Sequence, residues 1–287
     1  MGAMLLEGKP IAENMKKEIA SDIAAMKERY ARVPRLAALQ IGENASSAVY
    51  VKNQKKAAES LGIEYELRTL PATLSQEEAE KAINEMNRDK NINAVILQLP
   101  VPKEIDAKKL VNMMLPEKDA EGMHPQNLGK ILLGNYKTGP CTAMAVMELL
   151  RSAEIELYGK EVVIVGHSDI VGKPLSLMFL NKFATTTVCH IATGERGVLP
   201  EHVKAAEVLI VAVGKAGIVK GDWIKEGAVV VDVGINRVAD KIVGDVEFDA
   251  AFAKASYITP VPGGVGPLTT TILMRNTLEL FKAQMQK

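Results

Sequence analysis

Apolar runs of strand length alternate along this chain with segments whose apolar residues recur at helical spacing. The runs are "RLAALQIG" (35–42), "EYELRTL" (64–70), "NAVILQLP" (93–100), "EVVIVG" (161–166), "TTTVCH" (185–190), "EVLIVAVG" (207–214), "AVVVDVGI" (228–235) and "SYITP" (256–260). Several are apolar at consecutive positions, which predicts burial on both faces, as in a parallel sheet. Between them, segments such as "SQEEAEKAINEMNRD" (75–89) have the spacing of amphipathic helices. Strands alternating with helices predict an α/β architecture.

The stretch "PEKDAEGMHPQNLGKILLGNYKTGPCT" (116–142) concentrates Gly, Pro and Asn, and the helical pattern "AMAVMELLRSAE" follows it. A domain boundary is expected there, giving two α/β units joined by a bridging helix. Composition narrows the function classes. The chain has 287 residues, 47% hydrophobic and 24% charged, with zero formal net charge. That is a core-forming composition, with no electrostatic footprint for nucleic acid and no polybasic patch for a membrane surface. Cys141 and Cys189 are far apart and in no metal-ligand spacing, so no disulfide framework and no metal centre are expected. No apolar run approaches the ~18 residues of a membrane span, and the opening residues lack the pattern of a secretory leader. The cytosol is the expected compartment.

Two stretches carry candidate chemistry. "EVVIVGHSDIVGKPLSLMFL" (161–180) reads as a strand, a turn bearing Gly166 and Gly172, and a helix with Pro174 at its first position. Backbone N–H groups and the helix dipole at such a turn attract phosphate. The spacing is G-x5-G rather than G-x-G-x-x-G, and a structural tight turn would use the same residues. His167 reads equally as a solvated loop histidine. No carboxylate stands at the end of the second strand before Glu195, so nothing there selects between NAD and NADP. The second stretch, "ITPVPGGVGPLTTTILMRNTLELF" (258–281), packs three prolines and three glycines into eight residues before a helix that Thr269 or Thr270 would cap. Its glycines let a flat ligand lie against bare backbone; a rigid corner is the other reading.

Together, "AVYVKNQKKAAESLGI", "LQLPVP", "PEKDAEGMHPQNLGK", "GPCTAMAVMELL", "GHSDIVGKP", "GDWIKEGAVVVDVGINR" and "YITPVPGGVGPLTTTILMRNT", in this order, resemble the methylenetetrahydrofolate dehydrogenase/methenyltetrahydrofolate cyclohydrolase family nearly end to end. The resemblance implies an N-terminal folate-binding catalytic domain (1–139 plus the returning helix 268–287) and a Rossmann-like NAD(P)-binding domain (140–267), with the folate in the cleft between them and a homodimeric assembly. It implies hydride transfer from 5,10-methylenetetrahydrofolate to NAD(P)+, then hydration and ring opening to 10-formyltetrahydrofolate. By position, Tyr50 matches a residue lining the folate site and Gln98 a glutamine near the reacting carbon. Pro262, Gly263, Gly264, Gly266 and Pro267 match the loop against folate and nicotinamide. Ser168, Ile170, Val233, Ile235 and Thr269 match nucleotide contacts, beside Gly166, His167, Gly172 and Ile191.

The chain departs from that pattern in places. Four residues after Tyr50 the family has a lysine associated with the cyclohydrolase step; here it is Gln54. On a helix turning ~100° per residue, Lys52, Lys55 and Lys56 lie roughly 160°, 140° and 120° from Tyr50, so none replaces it. Losing a hydride needs no proton transfer, whereas ring opening does, and an amide cannot titrate. The expectation is a dehydrogenase with weak or absent cyclohydrolase activity, the alternatives being a fully bifunctional enzyme and a non-catalytic folate or nucleotide binder. Glu121 stands where the family typically has aspartate, one methylene shorter. His167 stands where many members have arginine, and Ile191 near where they have serine or arginine, which removes partners for a 2′-phosphate and tips the expected cofactor slightly from NADP toward NAD.

Overall fold

In the computed structural model, each of the eight apolar runs contains a strand. The structure describes residues 2–42 and 45–286, with the side chains of 45–47 excepted. The chain opens with β1 (Met4–Leu5) and α1 (Gly8–Tyr30). A β-α-β-α-β run follows: β2 (Arg35–Ile41), α2 (Ala45–Leu61), β3 (Glu64–Leu70), α3 (Gln76–Arg88) and β4 (Ala94–Leu97). After the short helices α4 (Ala107–Met113) and α5 (Pro125–Leu132) comes α6 (Cys141–Ser152). Then follow β5 (Glu161–Val165), α7 (Gly172–Leu180), β6 (Thr185–Cys189), α8 (Ile191–Glu195), α9 (Leu199–Ala205), β7 (Val208–Val211) and β8 (Val229–Asp232). A hairpin of β9 (Asn236–Val238) and β10 (Lys241–Val243), then α10 (Phe248–Phe252), β11 (Tyr257–Ile258) and α11 (Gly266–Met285), complete it.

These elements form two compact units. A three-stranded unit comprises residues 14–139 and 270–287, and a six-stranded unit comprises 1–13 and 140–269. The three-stranded sheet has the order β3-β2-β4, all parallel. The six-stranded sheet runs β1-β11-β8-β7-β5-β6, also all parallel. The fold is thus two-domain α/β with parallel sheets, the second of them doubly wound like a Rossmann sheet. Helix α6, where a bridge was expected, falls within the six-stranded unit; the chain crosses between units at 139/140, inside the expected boundary stretch, and also inside α1 and α11.

Burial follows position in each sheet. The inner strands β7 and β8 are buried throughout, while the edge strands β3 and β6 are only partly so. In the three-stranded unit, Ala37, Leu39, Ile41, Val95 and Leu97 pack against Ala79, Ile83 and Met86 of α3. That helix begins at Ser75, whose hydroxyl accepts from Glu78 N while Glu78 reaches back to Ser75 N, a capping box legible in "SQEE". In the six-stranded unit Val163, Val165, Leu209, Val211 and Val230 pack against Leu199 and Val203 of α9.

Two expected helix starts shift. Helix α11 begins at Gly266, so Thr269 does not cap it; its hydroxyl donates to Gly266 O at 2.9 Å from within the first turn. Pro174 is the third residue of α7 rather than the first. It still lies in the turn whose N–H groups lack intrahelical acceptors, so its missing donor removes no helix bond.

Candidate active site

Helix α2 buries Val51, Gln54, Ala58 and Leu61, a stripe at three- and four-residue spacing. Gln54 is the polar member of that stripe, and a buried amide needs partners. Its Oε1 accepts from Gln98 Nε2 at 2.8 Å and from the Tyr65 hydroxyl at 3.1 Å. Gln98 follows β4 directly, is itself buried, and anchors its backbone N on Leu39 O at 2.8 Å. The next residue opens the cis Leu99–Pro100 bond. Burial pushes the Tyr65 hydroxyl up to about 12, so it stays protonated and able to donate. Three elements, α2, β3 and the end of β4, are thereby tied at one oxygen. Tyr50 lies one turn before Gln54 and is exposed at 59%. Lys52, Lys55 and Lys56 are all exposed, so no lysine of this helix shares the buried stripe with Gln54.

The segment leading to Glu121 is held by its neighbours in sequence. Lys118 is buried and gives its ammonium to three carbonyls at the end of α3, Met86, Asn87 and Asp89, at 2.7–2.9 Å. Asp119 Oδ2 accepts from His124 N at 2.7 Å and Asn127 Nδ2 at 2.9 Å. Ala120 N donates to Val95 O at 3.1 Å, which lays the segment along β4. The partly buried Glu121 carboxyl takes up no hydrogen bond or ion pair among the described residues. Burial first, and the nearby Asp119 charge second, push it up to about 7. It is a proton-exchanging group near neutral pH in the same unit as Gln54 and Gln98.

In the six-stranded unit, Gly166 leaves β5 at φ +123°, and a Cβ there would lie 2.2 Å from Ala212 O. A Cβ on Gly172 would lie 2.0 Å from Gly166 O. Only glycine fits at either place, and the result is a bare-backbone turn at the start of α7. His167, Ser168 and Ile170 of this turn are exposed. The His167 ring lies 5.3 Å from that of His190, and exposed Ile191 follows at the end of β6. β5 stands between β6 and β7, so the order reverses there; ligands of open α/β sheets bind at such a switch point, beyond the carboxyl ends of the strands. Val233 and exposed Ile235 follow β8 at the same end. The turn 166–172 is the place in this unit where backbone N–H groups at a helix start could hold a dinucleotide's phosphates.

The terminal loop belongs to this unit too. It contains the cis Val261–Pro262 bond. Gly264 N donates to Pro260 O at 2.8 Å, and Gly8 N, at the start of α1, donates to Gly263 O at 2.9 Å. Gly266, Pro267 and Thr269 form the first turn of α11. The candidate residues therefore divide. Tyr50, Gln54, Gln98 and Glu121 lie in the three-stranded unit, and the glycine-rich loop and nucleotide positions lie in the six-stranded one. Sequence reasoning missed Tyr65, whose strand gives no hint of a side chain reaching back to α2. It also missed two buried aspartates, Asp232 and Asp245.

The chain matches two family models, the tetrahydrofolate dehydrogenase/cyclohydrolase catalytic domain over residues 6–121 and the NAD(P)-binding domain of the same family over 140–285. It is 47% identical to the bifunctional protein FolD 2 of Geobacter metallireducens over 97% of this chain and 96% of that one. Among solved structures, the bifunctional FolD of Campylobacter jejuni superposes with a TM-score of 0.94 at 40% identity, covering 98% of this chain and 99% of the other. The Trypanosoma brucei methylenetetrahydrofolate dehydrogenase-cyclohydrolase, solved with NADP and an inhibitor, gives 0.94 at 38% identity, with both chains fully covered. The chain belongs to the tetrahydrofolate dehydrogenase/cyclohydrolase family.

Proposed function

We propose that this chain oxidises 5,10-methylenetetrahydrofolate to 5,10-methenyltetrahydrofolate, with NAD(P)+ as hydride acceptor. The observation that carries the reading is Gln98, held at the end of β4 by Gln54 in a chain that belongs to this family over nearly its whole length. The three-stranded unit, 14–139 with 270–287, serves as the folate and catalytic domain, and the six-stranded unit, 140–269, as the nucleotide domain; residues 1–13, expected in the former, belong to the latter because β1 pairs with β11. Tyr50 offers an exposed ring for the folate to pack on, and Glu121 a carboxylate for its aminopyrimidinone. Pro262, Gly263, Gly264, Gly266 and Pro267 supply a flat wall. The turn from Gly166 to Gly172 takes the phosphates, and His167, Ile191, Val233 and Ile235 flank it. Bound NAD(P)+ supplies the electron sink. The protein's part is orientation, with a neutral Gln54–Gln98 pair that puts no positive charge beside the forming cation.

The names of the relatives, bifunctional proteins, support the second step as well, and the bifunctional reading has the broader support. One residue favours the narrower reading: Gln54 cannot exchange a proton, and no lysine of α2 is placed to do so. Glu121, titrating near 7, is the group that would serve a bifunctional site. A progress curve with methylenetetrahydrofolate and each nucleotide decides between them. Methenyl product decaying faster than an enzyme-free control means both steps; accumulation with decay at the control rate means dehydrogenase alone. No methenyl product with either nucleotide would sink the reading itself. A homodimer in the cytosol is the proposed setting; among the described residues no helix is long and apolar enough to cross a membrane.

A further inference from the structure

Just past β7, three consecutive backbone amides turn inward onto one carboxylate. Val213 N and Gly214 N donate to Asp245 Oδ2 at 2.7 and 2.8 Å, and Lys215 N donates to Oδ1 at 2.8 Å. Asn236 Nδ2, just past β8, also donates to Oδ1 at 2.8 Å. Asp245 is wholly buried, whereas residues 213–215 are exposed. A second buried carboxylate holds the first. Asp232 Oδ1 accepts from Gly234 N at 2.9 Å and Asp245 N at 3.0 Å, and its Oδ2 accepts from Val246 N at 2.8 Å. The two acids occupy room left by two glycines. A Cβ on Gly234 would lie 2.2 Å from Asp245 Cγ, and one on Gly244 would lie 2.0 Å from Asp232 Oδ2.

Burying two acids side by side is unfavourable unless each is well bonded. Burial pushes the Asp232 carboxyl up to about 6, against the pull of its three backbone donors. What the arrangement secures is a fixed shape for the segments after β7 and β8. Those segments lie at the carboxyl end of the sheet, and the first abuts the phosphate turn, since a Cβ on Gly166 would meet Ala212 O. We propose that Asp245 is a positioning residue for the dinucleotide: it holds 213–215, and through Asn236 the start of the β9–β10 hairpin, in the shape that receives the cofactor, with Asp232 bracing it. The inference rests on the nucleotide reading above. Successive amides ordinarily make an anion-binding concavity, but here the protein's own carboxylate fills it. The amides of this loop are therefore taken up by the protein, and what it exposes are the Val213 and Lys215 side chains.

The test is Asp245→Asn, with NAD+ and NADP+ binding titrated directly and kinetics measured against both substrates. Dissociation constant and KM for the nucleotide should rise about tenfold or more, with KM for the folate within twofold of the parent enzyme. A merely structural role would lower kcat with the loss of active protein and leave both KM values alone, and that outcome overturns the proposal, as does unchanged nucleotide affinity. Should Asp245→Asn fail to fold, Asn236→Ala keeps both carboxylates and decides instead: a rise of a few-fold in the nucleotide dissociation constant supports the proposal and none overturns it. Absence of nucleotide binding by the parent enzyme would refute the nucleotide reading instead, a distinguishable failure.

Discussion

Gln54 is the residue on which the narrower of the two proposed readings turns. Gln54→Lys should place an ammonium on the same buried stripe, and the expected outcome is methenyl hydrolysis at least tenfold faster than in the parent. Equal hydrolysis in the two proteins would place the controlling feature elsewhere. Tyr65→Phe removes one of two donors to Gln54 Oε1. A loss of about 1 kcal/mol in stability is expected, since a net hydrogen bond contributes about that; an unchanged denaturation midpoint would mean that water replaces the hydroxyl. Glu121 makes a pH prediction. Its native carboxyl titrates near 7 instead of 4.5, so between those values the folded protein binds more protons than the unfolded chain. Stability from this group therefore falls as pH rises through that window, by roughly 1–3 kcal/mol. Glu121→Gln should raise the melting temperature at pH 8.5 and change it little at pH 5. An equal shift at both would show that charge is not the cause.

At the scale of elements, the apolar runs located every strand of more than three residues among the described residues, most plainly the inner ones, which are buried on both faces and so apolar throughout. It missed β1, β9 and β10, two or three residues each and largely exposed, while β11, equally short, was found because Ile258 is buried. Helix boundaries slipped where glycine began a helix, as at Gly172 and Gly266, since neither caps by side chain. The candidate residues came from motif resemblance and from helical arithmetic that grouped Gln54 with Tyr50. Tyr65 and Asp245 were illegible for one physical reason. Their partners are 11 and about 30 residues away, brought near only by the sheet. The glycine turn makes its own prediction. Gly172→Ala forces a Cβ onto Gly166 O, so nucleotide KM should rise at least fivefold and the unit should lose about 1–3 kcal/mol from overpacking. Wild-type affinity in a titration would mean the turn relaxes without cost.

Across the whole molecule, α11 returns to the three-stranded unit and closes it. Asn276, fully buried, donates through Nδ2 to Ala120 O at 2.9 Å and Gly139 O at 3.0 Å, while Gln284 bonds Asn93 O and Glu117 O. Asn276→Ala should cost about 1–3 kcal/mol by stranding those carbonyls, measurable by urea denaturation; a smaller loss would mean that water enters. The interleaving also sets a timetable for synthesis. The three-stranded unit has residues 14–139 early but lacks 270–287 until the intervening 130 residues have been made. At about 5–20 residues per second that wait is roughly 7–26 s. Throughout it the surface that Leu273, Met274, Leu278 and Phe281 will cover stays open. The nascent chain thus carries an unfinished apolar face for nearly half of its time on the ribosome, and the arrival of one helix completes both units almost together.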